Sequence, residues 1–255
     1  MWNVCAVIPA AGKGTRLGLD QPKLIAPVTN DETIWSIIRS KLQPSVQHVC
    51  VVMSPWGAPA FQSVLSGEDN DFVSTAIQPV PLGMGDAIFC GFSIWREAHQ
   101  IAVIWGDQVN LSAETLRASL EQHRGRERTV VVPVTKLDQP YVEYRFKDGQ
   151  LASVLESREG HVCAATGYSD VGVFVLSVAE LEQAWREYLA LGRRGSVTGE
   201  LNFLPFLTYL AESGWIVEPM LVSDSDEARG VNTPDDLEFA ALRFANSRHE
   251  SSCKL

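Results

Sequence analysis

The chain's first residues able to do chemistry run Pro9-Ala10-Ala11-Gly12-Lys13-Gly14-Thr15-Arg16-Leu17-Gly18 and then Gln21-Pro22-Lys23, directly after the apolar residues 4–8. Glycines let backbone N–H groups approach an anion with no Cβ in the way, and Arg16 and Lys23 add charge-assisted hydrogen bonds to the same anion. A glycine-rich turn with two cations after a buried-looking strand reads as a cradle for a nucleoside triphosphate. Two other phosphate motifs fit less well. Gly12, Gly14 and Gly18 are spaced G-x-G-x-x-x-G, one position off a dinucleotide fingerprint, and Pro22 interrupts the helix such a site needs. A P-loop needs a glycine five positions before the Gly-Lys pair and a Ser or Thr after it, and neither is present.

Further loops carry matching chemistry. Gln78-Pro79-Val80-Pro81-Leu82-Gly83-Met84-Gly85-Asp86-Ala87 lies between an apolar run and an amphipathic one. Its glycines would leave backbone open to a flat ligand, and a glutamine amide pairs both donor and acceptor edges of a base. Taken alone, such a segment is usually a structural strand-to-helix turn, and its value comes from coexisting with the first loop. Asp107 ends another apolar run beside Gly106; it is either a turn former or a carboxylate for Mg²⁺, which bridges protein carboxylates and substrate phosphates. Asn232 can turn its carbonyl oxygen to the same metal, cap the last helix, or both.

The elements that must position these residues follow from periodicity. Apolar, β-branched runs at 4–8, 48–53, 72–77, 101–105 and 129–134 read as strands. Helical spacing recurs at 33–42 (Ile34, Ile37, Ile38, Leu42), at 85–96 (Ile88, Phe89, Phe92, Trp95) and at 111–123 with Ser112 as N-cap. This alternation predicts an α/β fold, a doubly wound, mostly parallel sheet covered on both faces. Residues 141–155 read as a hairpin turned by Asp148-Gly149, and 171–176 as one more central strand. Helices are expected at 178–189, 200–210 and 233–244, the last capped by Asn232 or Thr233 with Pro234 in its first turn. One domain, 1–245, with a polar, frayed tail at 246–255, accounts for the length. In such sheets ligands bind beyond the carboxyl ends of the strands, where these loops fall.

Composition narrows the partners. The 255 residues hold 21 Lys and Arg against 31 Asp and Glu, a net charge of −10, so no field attracts a polyanion and nucleic acid is not expected. Cys5, Cys50, Cys90, Cys163 and Cys253 show no metal spacing and read as reduced, mostly buried thiols. The N-terminus lacks a basic leader, and no apolar run nears the roughly 18 residues that span a bilayer. A soluble, cytoplasmic protein without membrane contact is expected; no feature specifies an oligomeric state. The five histidines carry no triad or ligand spacing, and Trp35, Trp95 and Trp185 fall at inward helical positions. Residues 192–199, with Arg193 and Arg194, read as a solvated basic loop, the alternative being a flap over an anionic ligand.

With these loops in hand, the chain resembles the sugar-1-phosphate nucleotidylyltransferases, most closely the uridylyltransferase-type domain of the N-acetylglucosamine-1-phosphate enzymes. The matching stretches are 10–16 with Pro22-Lys23, 78–87, Gly106-Asp107, Glu156, Asp170-Val171-Gly172-Val173 and 231–237. The resemblance implies a single Rossmann-like domain of the nucleotide-diphospho-sugar transferase type. It also implies use of Mg²⁺, and transfer from a nucleoside triphosphate to a phosphorylated acceptor with release of pyrophosphate. By position it implies that Ala10, Ala11 and Gly12, with Gly14 and Thr15, cradle the nucleotide, and that Gln78 and Gly83, flanked by Met84 and Gly85, read the base. Arg16 would steady pyrophosphate, Lys23 would contact the α-phosphate, Asp107 and Asn232 would hold Mg²⁺, and Glu156 would meet the acceptor. Three positions depart from the pattern: Met84 replaces a small polar residue, Asp170 an asparagine facing the sugar, and Tyr141-Val142-Glu143-Tyr144 a glycine-bearing segment. They open the acceptor's identity, with cytidylyl transfer to a non-sugar phosphate or a catalytically silent homologue as the alternatives. Bifunctional members continue into a hexapeptide-repeat β-helix that this sequence does not contain, so acyl transfer is not expected.

Overall fold

The computed structural model describes residues 3–12, 17–65 and 71–252. Strand β1 (Val4–Pro9) is central, and its side chains show how the sheet is covered. Val4, Ala6 and Ile8 pack into one apolar cluster, whereas Cys5 and Val7 pack into another on the opposite face. A strand buried on both faces must read as continuously apolar, which is why β1, β2 (His48–Met53) and β4 (Gln100–Ile104) lack polar alternation. Strand β1 pairs in parallel with β2 and β4, and β2 with β3 (Val73–Ile77). From β4 outward the sheet turns antiparallel through β9 (Val173–Ser177), β5 (Thr129–Asp138), β8 (Thr166–Asp170), β6 (Val142–Lys147) and β7 (Gln150–Glu156), with β10 (Ile216–Leu221) returning parallel to β5. It is therefore a mixed sheet.

Helix α1 (Ile34–Leu42) covers the first face and starts at a capping box between Thr33 and Ser36. Helix α5 (Ala113–His123) covers the same face and is capped by Ser112, whose hydroxyl accepts from the Thr115 N–H at 2.9 Å. The opposite face carries α3 (Met84–Cys90), α4 (Phe92–Trp95), α6 (Leu181–Ala190) and α7 (Leu204–Glu212), with Trp95, Trp185 and Phe206 in its core. Trp35, Trp95 and Trp185 are all buried, as their spacing predicts.

The differences from expectation have local causes. The helix expected at 85–96 splits because Gly91 lies against β2, where a Cβ would come within 2.6 Å of Cys50 Sγ. The expected strand 101–105 stops at Ile104 and releases Trp105 into a loop. Three elements escape periodicity: α2 (Ala58–Val64), β8 and β10. Strand β8, Thr-Gly-Tyr-Ser-Asp, has almost no apolar content, and β10 contains Pro219, tolerated because β10 pairs on one side only. The β6–β7 hairpin turns at Asp148 and Gly149 as expected, both with positive φ (51° and 78°). Helix α8 (Pro234–Ser252) continues past Asn246 into the segment expected to fray.

Candidate active site

The parallel half of the sheet brings the loops after β1, β3 and β4 to one end, where they line a cavity of about 440 Å³. Ala10, Ala11 and Gly12 form its first wall, anchored by the Ala10 N–H donating to the Val52 carbonyl at 2.8 Å. A Cβ on Gly12 would meet nothing within 4 Å, so this backbone borders open space. Gly14, Thr15 and Arg16, expected to complete the cradle, lie outside the described residues.

Lys23 stands on a single 3₁₀ turn, Lys23–Ile25, pinned by buried Leu24 and Ile25. Its ammonium sits 2.7 Å from Asp107 Oδ2, 3.1 Å from the Val231 carbonyl oxygen and 3.2 Å from Asn232 Oδ1. Lys23, Asp107 and Asn232 are thus brought together from positions 84 and 209 residues apart. The loop before α8 lies flat on the carboxylate. The Val231 N–H donates to the Asp107 carbonyl at 3.0 Å, and a Cβ on Gly230 would approach Asp107 Oδ1 to 3.0 Å. Capping falls to other residues: Thr233 Oγ1 accepts from the Asp236 N–H, and Asp236 accepts from the Asn232 and Thr233 amides. The Asn232 side chain is left to the site, which separates the two roles the sequence leaves open.

The third wall is Gln78, Pro81, Gly83, Met84 and Ala87. Gln78 Nε2 donates to the Gly83 carbonyl at 3.0 Å and to Asp86 Oδ2 at 2.8 Å, so its donor end is committed within the loop. The glycines here answer to packing more than to ligand approach. Gly83 has φ +124° and a Cβ on it would lie 2.7 Å from the Leu201 backbone; one on Gly85 would meet the Trp185 ring at 2.5 Å. The Gly85 N–H donates to the Leu201 carbonyl and is not available to a base.

Of the expected acceptor residues, none borders this cavity. Tyr141 precedes β6 and is 61% exposed. Asp170 accepts from the Tyr144 hydroxyl at 3.1 Å and the Gly172 amide at 2.8 Å; burial raises its pKa against these bonds and one from Trp105. Its carboxylate holds the bend between β8 and β9 and steadies Trp105, itself on the cavity wall. Glu156 is buried and pairs with Arg158, which does reach the cavity. Burial lifts the Glu156 carboxyl while the guanidinium beside it, with Nε 3.1 Å from Oε2, draws it down.

Arg158 and Glu200 are the wall residues sequence reading misses. Arg158 Nη2 donates to Asn202 Oδ1 at 2.6 Å, and Nη1 lies 3.5 Å from Glu200 Oε2. The adjacent Glu159 holds the loop that presents them. Although burial opposes ionisation, hydrogen bonds from the Thr198 hydroxyl, the Val197 and Thr198 amides and Asn202 hold its carboxyl at about 2. Residues 192–199 are therefore an anchored loop: Arg193 faces Glu212, and Arg194 donates to the Gly199 carbonyl, so neither cation closes over the cavity.

Comparison with known proteins places the chain in a family. The chain is 28% identical over 262 residues to the bifunctional protein GlmU of Syntrophotalea carbinolica, covering 98% of this chain and 53% of the relative. It is 27% identical over 253 residues to that of Acidithiobacillus ferrooxidans, covering 93% and 51%. The chain thus spans about half the length of the curated relatives it matches. Its fold matches a Bacillus anthracis protein described as a glucose-1-phosphate thymidylyltransferase, solved with sucrose, at a TM-score of 0.75 and 16% identity over 94% of both chains. The family described as MobA-like NTP transferase domain matches residues 6–198, three of whose strand-end loops line the cavity. The chain belongs to that family and is a nucleotidyltransferase.

Proposed function

We propose that the chain transfers a nucleotidyl group from a nucleoside triphosphate to a sugar 1-phosphate, or a closely similar phosphorylated metabolite, with release of pyrophosphate and dependence on Mg²⁺. The observation that carries the reading is the convergence of Lys23, Asp107 and Asn232 in a cavity whose other walls are a glycine-bearing backbone loop and Gln78. In the reaction an acceptor phosphate oxygen attacks the α-phosphorus. The new P–O bond forms as the α–β bridging bond breaks, and the electron pair leaves on pyrophosphate. A phosphate monoester is largely ionised near neutral pH, since its second pKa is about 6, so the chain needs no general base. Its task is alignment and charge neutralisation. Ala10, Ala11 and Gly12 hold the phosphates by backbone, Gln78 orients the base, and Lys23 supplies a positive charge.

The residues present fit Mg²⁺. Asp107 Oδ2, Asn232 Oδ1 and the Val231 carbonyl surround one point, now taken by the Lys23 ammonium, and are the hard oxygen donors this ion selects. An ion held by these donors would share its coordination with substrate phosphates. When bound, Mg²⁺ would neutralise triphosphate charge. Lys23, released from Asp107, would then serve the phosphates.

The sugar-phosphate acceptor rests on the resemblance and on the described activity of the structural neighbour. Glu156, Asp170 and Tyr141, expected to contact it, would do so only indirectly; Arg158 also lines the cavity and would meet an acceptor phosphate by exchanging one of its contacts with Glu156, Asn202 or Glu200. A cytoplasmic setting fits the unpaired thiols of Cys5, Cys50, Cys90 and Cys163, and among the described residues no helix is long and apolar enough to cross a membrane. A pyrophosphate-release screen of ATP, CTP, GTP, UTP and dTTP against sugar 1-phosphates and non-sugar phosphates with Mg²⁺ tests the proposal. Turnover with a sugar 1-phosphate supports it; turnover only with non-sugar phosphates replaces the acceptor class, and none from folded protein rejects transfer.

A further inference from the structure

We infer that Asn110 and Glu227 are positioning residues: they lock the register between the loop after β4 and the segment before α8, and so hold Asp107 and Asn232 where both can reach one Mg²⁺. The inference rests on the Mg²⁺-dependent transfer reading above and goes beyond it, because neither residue borders the active-site cavity.

Asp107 and Asn232 lie on segments that are not strands, so no sheet ladder sets their register. Three ties join the segments instead. The Val231 N–H donates to the Asp107 carbonyl at 3.0 Å, Asn110 Nδ2 donates to the Arg229 carbonyl at 2.6 Å, and Glu227 Oε2 accepts from the Ser112 N–H at 2.9 Å. As one segment runs from 107 to 112 the other runs back from 231 to 227, so the two form an antiparallel seam.

Only the first tie is made by backbone alone. The other two depend on side chains that are each 4% exposed, and a polar group buried to that degree must keep its partner. A backbone tie can be exchanged for the next one along the chain, but a slip of one residue would strand the Asn110 amide and the Glu227 carboxylate. Their burial therefore favours one register.

Glu227 is committed on both oxygens. Oε1 accepts from the Thr115 hydroxyl at 3.0 Å, so the carboxylate closes the first turn of α5 beside the Ser112 cap, a part that a residue of the helix itself takes in a capping box. The segment carrying Asn232 is thereby tied to a helix of the core. The outer sides of the seam are held separately: Lys41 of α1 donates to the Val109 carbonyl, and Asp236 accepts from the Asn232 amide at 3.0 Å and from Arg229 Nε at 2.8 Å. Spacing across the seam is left to Asn110 and Glu227.

Mn²⁺ binding to the full chain tests this, read from the electron paramagnetic resonance signal of the free ion with the α,β-methylene analogue of the triphosphate preferred in the pyrophosphate-release screen. Asn110→Ala and Glu227→Ala should each weaken Mn²⁺ binding about 10- to 100-fold, the usual effect of removing a group that orients a metal ligand. The Mg²⁺ concentration for half-maximal pyrophosphate release should rise by a similar factor. Glu227→Gln should stay within about threefold of the wild type, since its amide can accept from the Ser112 N–H and donate to the Thr115 hydroxyl. Leu210→Ala, in the core of the opposite face, should lower the urea midpoint and leave Mn²⁺ affinity unchanged. Alanine variants that fold and bind Mn²⁺ like the wild type, Glu227→Gln as weak as Glu227→Ala, or equal weakening in Leu210→Ala would overturn the inference. Should an alanine variant not fold, Glu227→Asp, which draws the carboxylate back by one carbon, carries the same expectation. A wild-type chain that binds no Mn²⁺ with any triphosphate would reject the Mg²⁺-dependent reading and the inference together, a result distinct from variants that match the wild type.

Discussion

The wall formed by Ala10–Gly12, Gln78 and Asp107 comes from short loops at the ends of parallel strands, each placed by a few consecutive residues. The wall formed by Arg158 and Glu200 comes from the antiparallel half, where a turn after β7 meets a loop some forty residues later through a buried carboxylate. The first depends on local backbone geometry, the second on a long-range ionic network. Under the proposed function the parallel end would hold the phosphates and base of the triphosphate, and the ionic wall is where acceptor choice would diverge.

The largest effect that would break this comparison is on the first wall. Lys23→Ala should lower kcat by on the order of 10² to 10³, by analogy with loss of one preorganised electrostatic group, as measured by pyrophosphate release. A near-wild-type rate would remove the phosphate role from that wall. Arg158→Ala should come next, raising KM for the acceptor about tenfold while KM for the triphosphate moves less, since one charge-assisted contact contributes about 1.5 kcal/mol or more. Equal changes in both constants would merge the two walls into one.

Glu159 sharpens the comparison through pH. Its folded carboxyl titrates at about 2, below the ordinary 4.5, so it favours the folded state fully above pH 4.5 and loses that contribution as pH falls from 4.5 towards 2. Urea midpoints measured between pH 6 and pH 3 should fall less steeply in Glu159→Gln than in the wild type. Parallel curves would show that the carboxylate does not hold the loop. The smallest effect belongs to Tyr141→Phe. With the side chain 61% exposed, stability should stay within about 0.5 kcal/mol and both KM values should be unchanged, whereas a selective rise in acceptor KM would restore the substrate contact expected for it.

The same contrast governs what the sequence makes legible. Lys23, Gln78, Asp107 and Asn232 can be found by reading because each follows a recognisable apolar run or precedes a helix, and the cavity joins all four. Arg158 cannot, because its meaning lies in Glu156, Asn202 and Glu200, and no local pattern announces contacts across that span. Asp170 looks like a substrate contact until Tyr144 and Gly172 are seen to occupy its oxygens. Gly83 and Gly85 read as openings for a ligand, yet Leu201 and Trp185 fill the space beside them. Similarly, β10 is hidden by Pro219, whose missing N–H matters only if both edges of the strand must pair.

Positional labelling distinguishes attack at the α-phosphorus, with pyrophosphate leaving, from transfer of the terminal phosphate. With Mg²⁺, a sugar 1-phosphate and the preferred triphosphate labelled in parallel at the α or the γ position, α-label is expected in the acceptor-linked product and γ-label in pyrophosphate. Recovery of γ-label on the acceptor or in orthophosphate would contradict it.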